Sequence, residues 1–392
     1  MTQPQQQAAD SHLLPFLLLC LRARWDPSTL EQARLMPASP NFDWQALPAL
    51  AARHRLSALL YDVLRGQAWV PAPVLSELQA ARYALAVRDL LLSDELCAAL
   101  DRLAASEVDL LLLKGAALAP TVYGGQGLRP MEDLDLLIRP AAAAAALSAL
   151  TQMGYGSTSV EVRPGSDLAF ESEVRLTRSG RMPFSVELHW TLFDVPHYQQ
   201  VLPIDWFWDS ARTISLSPTV RARALGPEAL LLHLCGHLLL HHGADAAALL
   251  WHHDVAEVLV YDRNRIDWTL LLGKAKECGL VLPLQQVLNR VIAGWHPPVP
   301  PDALARVNRL RPLPSEQRLV RERSAPRRPV ARRFYSDLAS MHGWGARLRY
   351  AWIQLFPSPA YMRARYGVTR TWLLPLYYPY RWWIGLRGLF RR

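Results

Sequence analysis

The segment VDLLLLKGAALAPTVYGGQGLRPMEDLDLLIRP, residues 108–140, constrains the fold more tightly than any other part of the chain. It opens on an apolar run of strand length, Val108–Leu113, that ends abruptly in Lys114-Gly115, the pattern of a buried strand entering a turn. Ala116–Tyr123 has helical composition, and Pro120 keeps that helix short. Gly124, Gly125 and Gly127 predict a loop. Leu134–Ile138 reads as a second buried strand, and Pro140 opens an alanine-rich helix over Ala141–Met153 that stops before Gly154. Two further strands are expected at Leu168–Leu176 and Phe184–Trp190, with a turn at Ser179-Gly180 between them. The succession makes a small mixed α/β unit of about 90 residues.

The flanks have a different texture. Residues 12–106 read as helices: Leu47, Leu50, Ala51, His54, Leu56, Leu59 and Leu60 recur at roughly helical spacing, and Glu77–Leu103 continues for several turns beyond Pro71 and Pro73. After Pro227, helices are expected at Glu228–His242, Ala246–Tyr261 and Trp268–Gly279, and along a leucine-rich stretch to Ala293. The fold class is therefore α+β, a small mixed-sheet core flanked by N- and C-terminal helical regions. We divide the chain into an N-terminal helical region (1–106), the α/β core (107–195), a helical domain (220–296), a Pro/Arg-rich linker (297–330) and a basic aromatic C-terminal region (331–392).

With half its residues hydrophobic and a fifth charged, the chain has globular composition. Its four cysteines lack CxxC spacing, which argues against a zinc knuckle or a disulfide framework and fits a reducing cytoplasm. The N-terminal apolar run lacks a basic flank, and neither it nor Ala229–Leu240 is long enough to span a bilayer, so no secretion signal or membrane span is expected. The formal charge of +9 is uneven: residues 311–392 hold seventeen arginines against Glu316, Glu322 and Asp337, which leaves the preceding 310 residues at about −5.

A packed core needs neither Asp133 nor Asp135. On a strand the two side chains share one face while Leu134 and Leu136 take the other, with α-carbons roughly 6.6 Å apart. Carboxylates so placed repel unless a cation sits between them, so removing both is expected to leave stability intact or improved. Mg²⁺, or Mn²⁺ in its place, suits one or two carboxylates together with phosphate oxygens. Lys114-Gly115 sits where a strand turns into a helix: glycine permits close approach of a phosphate to the backbone, and the helix start offers free N–H groups. Lysine occurs at only three positions, 114, 274 and 276, in a chain that otherwise uses arginine, which singles out Lys114. Taken alone, an Asp-x-Asp pair is commonly a solvated strand end; the order of the motifs carries the argument.

The run LLKGAAL…LRPMEDLDLLI resembles the bacterial "uncharacterised nucleotidyltransferase" family, a branch of the polymerase β-like nucleotidyltransferase superfamily. The segments LLLHLCGHLLLHH, LLWHHDVAEVL, IDWTLLLGKAKECGL and FPSPAYMRARYG look like that family's later segments, so the resemblance covers most of the chain. It implies a nucleotidyltransferase core that moves a nucleoside monophosphate from a nucleoside triphosphate to an acceptor hydroxyl with two divalent metals. Asp133, Asp135 and Glu187 (in FSVELHW, where the family usually has Asp) are the implied catalytic and metal-binding carboxylates. Lys114, Gly115, Ala116 and Arg129 are the implied nucleotide-binding residues, Arg129 either meeting a phosphate or bracing its loop. Ala116 stands where a second glycine or small polar residue is usual, and sixteen residues separate it from Asp133. These departures keep an alternative in play, a nucleotide-binding or scaffold protein on the same fold without turnover.

Other residues are candidates for the cleft. His189 shares a strand face with Glu187. His233, His237 and His241 line one helical face without the Glu of an HExxH motif, so His237 is either a cleft residue or part of an interdomain face. Asp254 is either a salt-bridged structural residue or a cleft residue. The C-terminal WLLPLYYPYRWWIGLRGLFRR interleaves arginines with aromatics; it stacks nucleic-acid bases, lies in a membrane interface, or caps the helical domain. Pro375 and Pro379 argue against one long helix there, which favours capping or interfacial association. The expected partners are a nucleoside triphosphate and an unidentified acceptor, with peripheral contact at the inner membrane face and nucleic acid both open.

Overall fold

The computed structural model describes residues 3–390 apart from 40, 41, 126, 158, 181, 243–247 and 325–329. Seven strands form one mixed sheet: β1 Leu110–Leu112, β2 Leu134–Ile138, β3 Gly156–Ser157, β4 Glu173–Arg178, β5 Phe184–His189, β6 Arg212–Ser215 and β7 Arg221–Ala224. Their order is β3-β4-β5-β2-β1-β7-β6. The central β5–β2 pair is parallel, with Asp135 opposite Glu187 and Leu137 opposite His189. β1 joins β2 antiparallel and β7 parallel. Helices lie at both ends of the chain, so the α+β class holds.

Alternation divides the apolar residues between two cores. Leu134, Leu136, Ile138, Val186 and Leu188 face the Ala143–Gln152 helix and the C-terminal half of the Ala72–Ala104 helix. Leu111, Leu113 and Leu137 face the opposite way, into a larger core that combines N-terminal residues such as Phe16 and Leu59 with Leu231, Val255 and Leu288. The helices before and after the sheet therefore share one core. Because alternation has a period of two, Asp135, Glu187 and His189 fall on the side facing this large helical layer. That is what places the charged residues between two layers.

Several elements differ from the sequence expectation. The strand expected at Leu168–Leu176 begins only at Glu173, because Gly165 in a left-handed conformation (φ 75°) starts a short helix, Ser166–Phe170. The sheet also takes in β6 and β7, beyond residue 195. Glu228–His242 is an α-helix to His237 and a π-helical turn over Leu238–His242. The helix expected from Ala246 is described from Leu249 to Tyr261, residues 246 and 247 lying outside the described ones.

The expected linker over 297–330 contains two helices, Pro301–Arg309 and Pro314–Ser324. Val307, Leu319 and Val320 anchor them in the large core, and apolar residues at helical spacing outweigh the surrounding Pro and Arg. Residues 325–329 of that stretch lie outside the described ones. The C-terminal segment forms one helix, Leu374–Phe390, despite its prolines. Pro375 lies in the first turn, where an N–H has no helical partner anyway, and Pro379 forfeits one backbone bond.

Candidate functional site

The loop between β1 and β2 is held in place before it delivers its aspartates. Arg88, on the Ala72–Ala104 helix, donates to the Met131 carbonyl at 3.2 Å and the Glu132 carbonyl at 3.4 Å. Asp89 accepts from the Gly127 N–H at 3.1 Å. Gly127 has φ 63°, and an added Cβ would meet the Ala86 backbone at 2.7 Å, so the loop can approach the helix only through a glycine.

Arg129 turns inward from this loop. Its guanidinium forks onto Asp254, at 2.8 Å to Oδ2 and 3.3 Å to Oδ1, and Tyr123 Oη donates to the same carboxylate at 2.7 Å. All three side chains are buried, and burial without these partners would strongly disfavour both charges. Of the two roles open to Arg129, the geometry is that of a brace. What lies against Gly115 is also Arg129: a Cβ there would collide with its Nη1 and lie 3.1 Å from Met131 Cγ. Gly115 and Ala116 are both buried, Ala116 within the apolar face of the sheet. The close approach that glycine permits is made by a guanidinium.

Lys114 does the opposite and points into the cleft. Its backbone has φ 42°, unusual for a residue with a side chain and a form of strain found at functional sites. Nζ lies 2.7 Å from Asp135 Oδ1 and 3.7 Å from Glu187 Oε2. His189 supports the same pair from behind, with Nε2 3.0 Å from Asp135 and Nδ1 3.0 Å from Glu173. Arg175, on β4, pairs with Glu187 and lies 3.6 Å from Asp133. A cation does sit between carboxylates, as their repulsion demands, and it is supplied by the chain.

Electrostatics separate the two aspartates. For Asp133, burial and the Asp135 and Glu187 carboxylates raise the pKa to about 6. For Asp135, burial also opposes charge, but Lys114 and His189 prevail and hold the carboxyl well below its usual range. Burial likewise disfavours charge on Glu173 and His189; their mutual pairing, with Asp135, lowers Glu173 to about 2 and raises His189 well above its ordinary value. His189 thus carries a proton on each nitrogen and braces the carboxylates as an imidazolium.

The cleft is a cavity of about 330 Å³, in the range of small-molecule sites. Lys114, Asp133, Asp135, Glu187 and Arg129 reach its wall, with Glu173 and Arg175 beside them. Opposite stand His237, from the end of the α-helix, and His241 and His242, from the π-helical turn, together with Trp251 and Arg55. Burial first, and then the nearby Lys114 charge, hold these histidines low, His241 to about 3 and His242 to about 4, so the far wall is neutral imidazole. His242 stacks on Trp251 with ring centroids 3.8 Å apart. Of the three cleft candidates, His237 lines the cavity, His189 lies behind the carboxylates and Asp254 lies behind Arg129. Among the described residues, one group has ligand atoms close enough to hold a metal ion: Asp135, Glu187 and His189, within 4.8 Å of one another. Two carboxylates in register on adjacent strands are a hard-oxygen donor set that fits Mg²⁺ or Mn²⁺. Asp133 stands outside this group, at the cavity edge.

Sequence reasoning missed Glu173, Arg175, Arg55, His242 and Trp251. Glu173 and Arg175 had a signal, since EVRLTR alternates charged and apolar residues and faces β5 with opposite charges. Arg55, left-handed at φ 61° after a helix end, had none.

A family model described as "Uncharacterised nucleotidyltransferase" matches residues 40–291. No curated protein matches the chain.

The two aspartates respond oppositely to neutralisation. The Asp133 pKa is about 6 in the fold against 3.8 when unperturbed, so its charge destabilises the fold fully above pH 6 and has no effect below about pH 4. Asp133→Asn is therefore expected to raise stability by about 1–3 kcal/mol at neutral pH in the presence of chelator, with the gain gone at pH 4. Asp135→Asn leaves Lys114 and His189 without their main anion and is expected to lower stability by about 3 kcal/mol. Urea titrations at the two pH values check both signs. Gly115→Ala, which pushes Arg129 off Asp254, is expected to lose about 1–3 kcal/mol in the same titration.

Proposed function

This chain belongs to the uncharacterised nucleotidyltransferase family, and on that premise we propose that its site transfers a nucleoside monophosphate from a nucleoside triphosphate to an acceptor hydroxyl. The observation that carries this reading is the Asp135–Glu187 pair, in register on adjacent parallel strands and joined by Lys114 in a cavity of small-molecule size. Asp135 and Glu187 would hold the divalent cation, Mg²⁺ or Mn²⁺, with Asp133 at the cavity edge as the further carboxylate. Divalent cations so held would supply charge neutralisation to the triphosphate and a lowered pKa to the acceptor hydroxyl.

The chain's own residues do the rest. The acceptor oxygen attacks the α-phosphorus, the bond to the departing pyrophosphate breaks, and the hydroxyl proton has Asp133 at the cavity edge to receive it. Lys114, paired with Asp135 in the free protein, is the mobile cation of the site. Its Nζ lies between Asp135 and Glu187, and with those carboxylates engaged elsewhere the ammonium would be free to meet the β- and γ-phosphates, where a compact charge is suited. Arg129, Tyr123 and Asp254 hold the loop that carries Asp133 and Asp135, and His189 with Glu173 fixes the orientation of Asp135. Positioning and charge neutralisation are what phosphoryl-type transfer asks of a protein.

The alternative, a nucleotide-binding protein without turnover, is favoured by one observation: Ala116 is fully buried and Gly115 is covered by Arg129, so this turn offers no hydroxyl or open cradle. Pyrophosphate release separates the two readings. With each of the four nucleoside triphosphates, Mn²⁺ and a cell extract as the source of acceptor, wild type is expected to release pyrophosphate and Asp135→Asn is not. Nucleotide binding by calorimetry with no release under any of these conditions selects the alternative, and no binding at all removes both.

Lys114 offers a test with two readouts of opposite sign. Lys114→Met is expected to tighten Mn²⁺ binding in the absence of nucleotide, because the ion no longer competes with an ammonium for Asp135. It is expected to weaken triphosphate binding roughly ten- to a hundred-fold, the worth of a charge-assisted contact. Tighter metal binding with unchanged nucleotide binding makes Lys114 a counter-ion alone.

A further inference from the structure

The proposed chemistry uses nothing beyond residue 261, yet the end of the chain carries the most unusual surface on the molecule. From Leu338 to Arg392 there are nine arginines and no Asp, Glu or Lys. Within it, the Trp344–Leu355 helix exposes Trp344, Leu348, Trp352 and Leu355, spaced four, four and three apart on one stripe. Its other side is seated by Tyr350 and Ile353, both buried. The Leu374–Phe390 helix repeats the arrangement with Leu376, Tyr380, Trp383 and Ile384. Trp344 is 76% exposed and Leu376 65%, and with their neighbours they make up a contiguous stripe on each helix rather than single exposed side chains. The two helices are tied together: Trp382 Nε1 donates to the Leu355 carbonyl at 2.8 Å, and Arg381 reaches the Gln354 carbonyl at 3.4 Å. Arg349, Arg363, Arg365, Arg370 and Arg387 are exposed around the stripes.

We propose that this face docks the protein onto an anionic lipid bilayer, the aromatic and aliphatic stripes entering the headgroup boundary and the arginines meeting lipid phosphates and carboxylates. Three features choose this occupant. Residues 338–392, which carry both stripes, have a single sign of charge, which is charge complementarity to an anionic membrane and not to a neutral one. Trp and Tyr beside Leu and Ile are the residues of a membrane interface, whereas the exposed aliphatics Leu348, Leu355, Leu376 and Ile384 offer nothing to a phosphodiester backbone. Among the described residues no helix is long and apolar enough to cross a membrane, so the helices lie on the bilayer and do not span it. The surface lies outside the matched residues 40–291.

Vesicle co-sedimentation of the full chain tests this. Vesicles of phosphatidylcholine with phosphatidylserine are expected to carry the protein down at about 0.1 M salt and to release most of it at about 0.5 M. Vesicles of phosphatidylcholine alone are expected to leave it in solution. Leu348→Asp and Ile384→Asp, both at exposed positions and so compatible with folding (checked by circular dichroism), are each expected to reduce the bound fraction about tenfold or more. The proposal is overturned by absence of binding to the anionic vesicles at low salt, or by binding that neither substitution changes. It is equally overturned if light scattering shows a dimer that Leu348→Asp dissociates, since a second copy then covers the stripes, or if the face retains RNA in preference to the vesicles.

Discussion

The contact between Lys114 Nζ and Asp135, 2.7 Å long and almost closed to solvent, is the constraint on which the arrangement of this protein depends. A strand that carries Leu134, Leu136 and Ile138 into one core must present Asp135 to the other side, and β5 presents Glu187 and His189 beside it. Uncompensated carboxylates between two apolar layers are not tolerated. The chain answers with Lys114, Arg175 and His189, so that four carboxylates meet three cations of its own. The result is a site whose carboxylates are offset by the chain's own cations, with Asp135 and Glu187 in register on adjacent strands. The left-handed backbone of Lys114 fits that picture, since it aims the ammonium from the end of β1 across to β2.

A second buried pair ties this site to the helical layers. Arg129 and Asp254 stand 125 residues apart in the chain, and Tyr123 completes the carboxylate's partners. Through them the β1–β2 loop is fastened to the Leu249–Tyr261 helix, which also contributes Trp251 to the far wall of the cavity. Gly115 is required because the guanidinium occupies the volume of its missing side chain. The loop that carries the aspartates is thereby set from two sides at once, by the Ala72–Ala104 helix through Arg88 and Asp89 and by the Leu249–Tyr261 helix through Asp254.

Much of this was legible in the residues themselves. The boundaries of β2 follow from LDLLI, and the shared face of Asp133, Asp135, Glu187 and His189 follows from alternation alone. Long, apolar, strongly periodic segments such as Val281–Trp295 were equally readable. What escaped reading depends on contacts distant in sequence. That Lys114 would pair with Asp135, or that Arg129 would be bound by Asp254, has no local signature. Glu173 and Arg175 lay within the expected strand, but that they meet His189 and Glu187 depends on the β4–β5 register. The helices within 301–324 escaped because composition rich in Pro and Arg was given more weight than Val307, Leu319 and Val320 at helical spacing. Pro379 misled in the same way, since one missing backbone bond does not end a helix whose remaining turns are intact.

The central claim is that Asp135 and Glu187 are a cation site which Lys114 occupies only until a divalent ion arrives. The most direct measurement is a crystal structure with Mn²⁺ and a non-hydrolysable nucleoside triphosphate, read by anomalous scattering at the manganese edge. The account expects an anomalous peak at coordination distance from both carboxylates, with the Lys114 ammonium moved from Asp135 onto the phosphates. An ammonium still seated on Asp135, with no peak at the pair and the nucleotide elsewhere or absent, would contradict it.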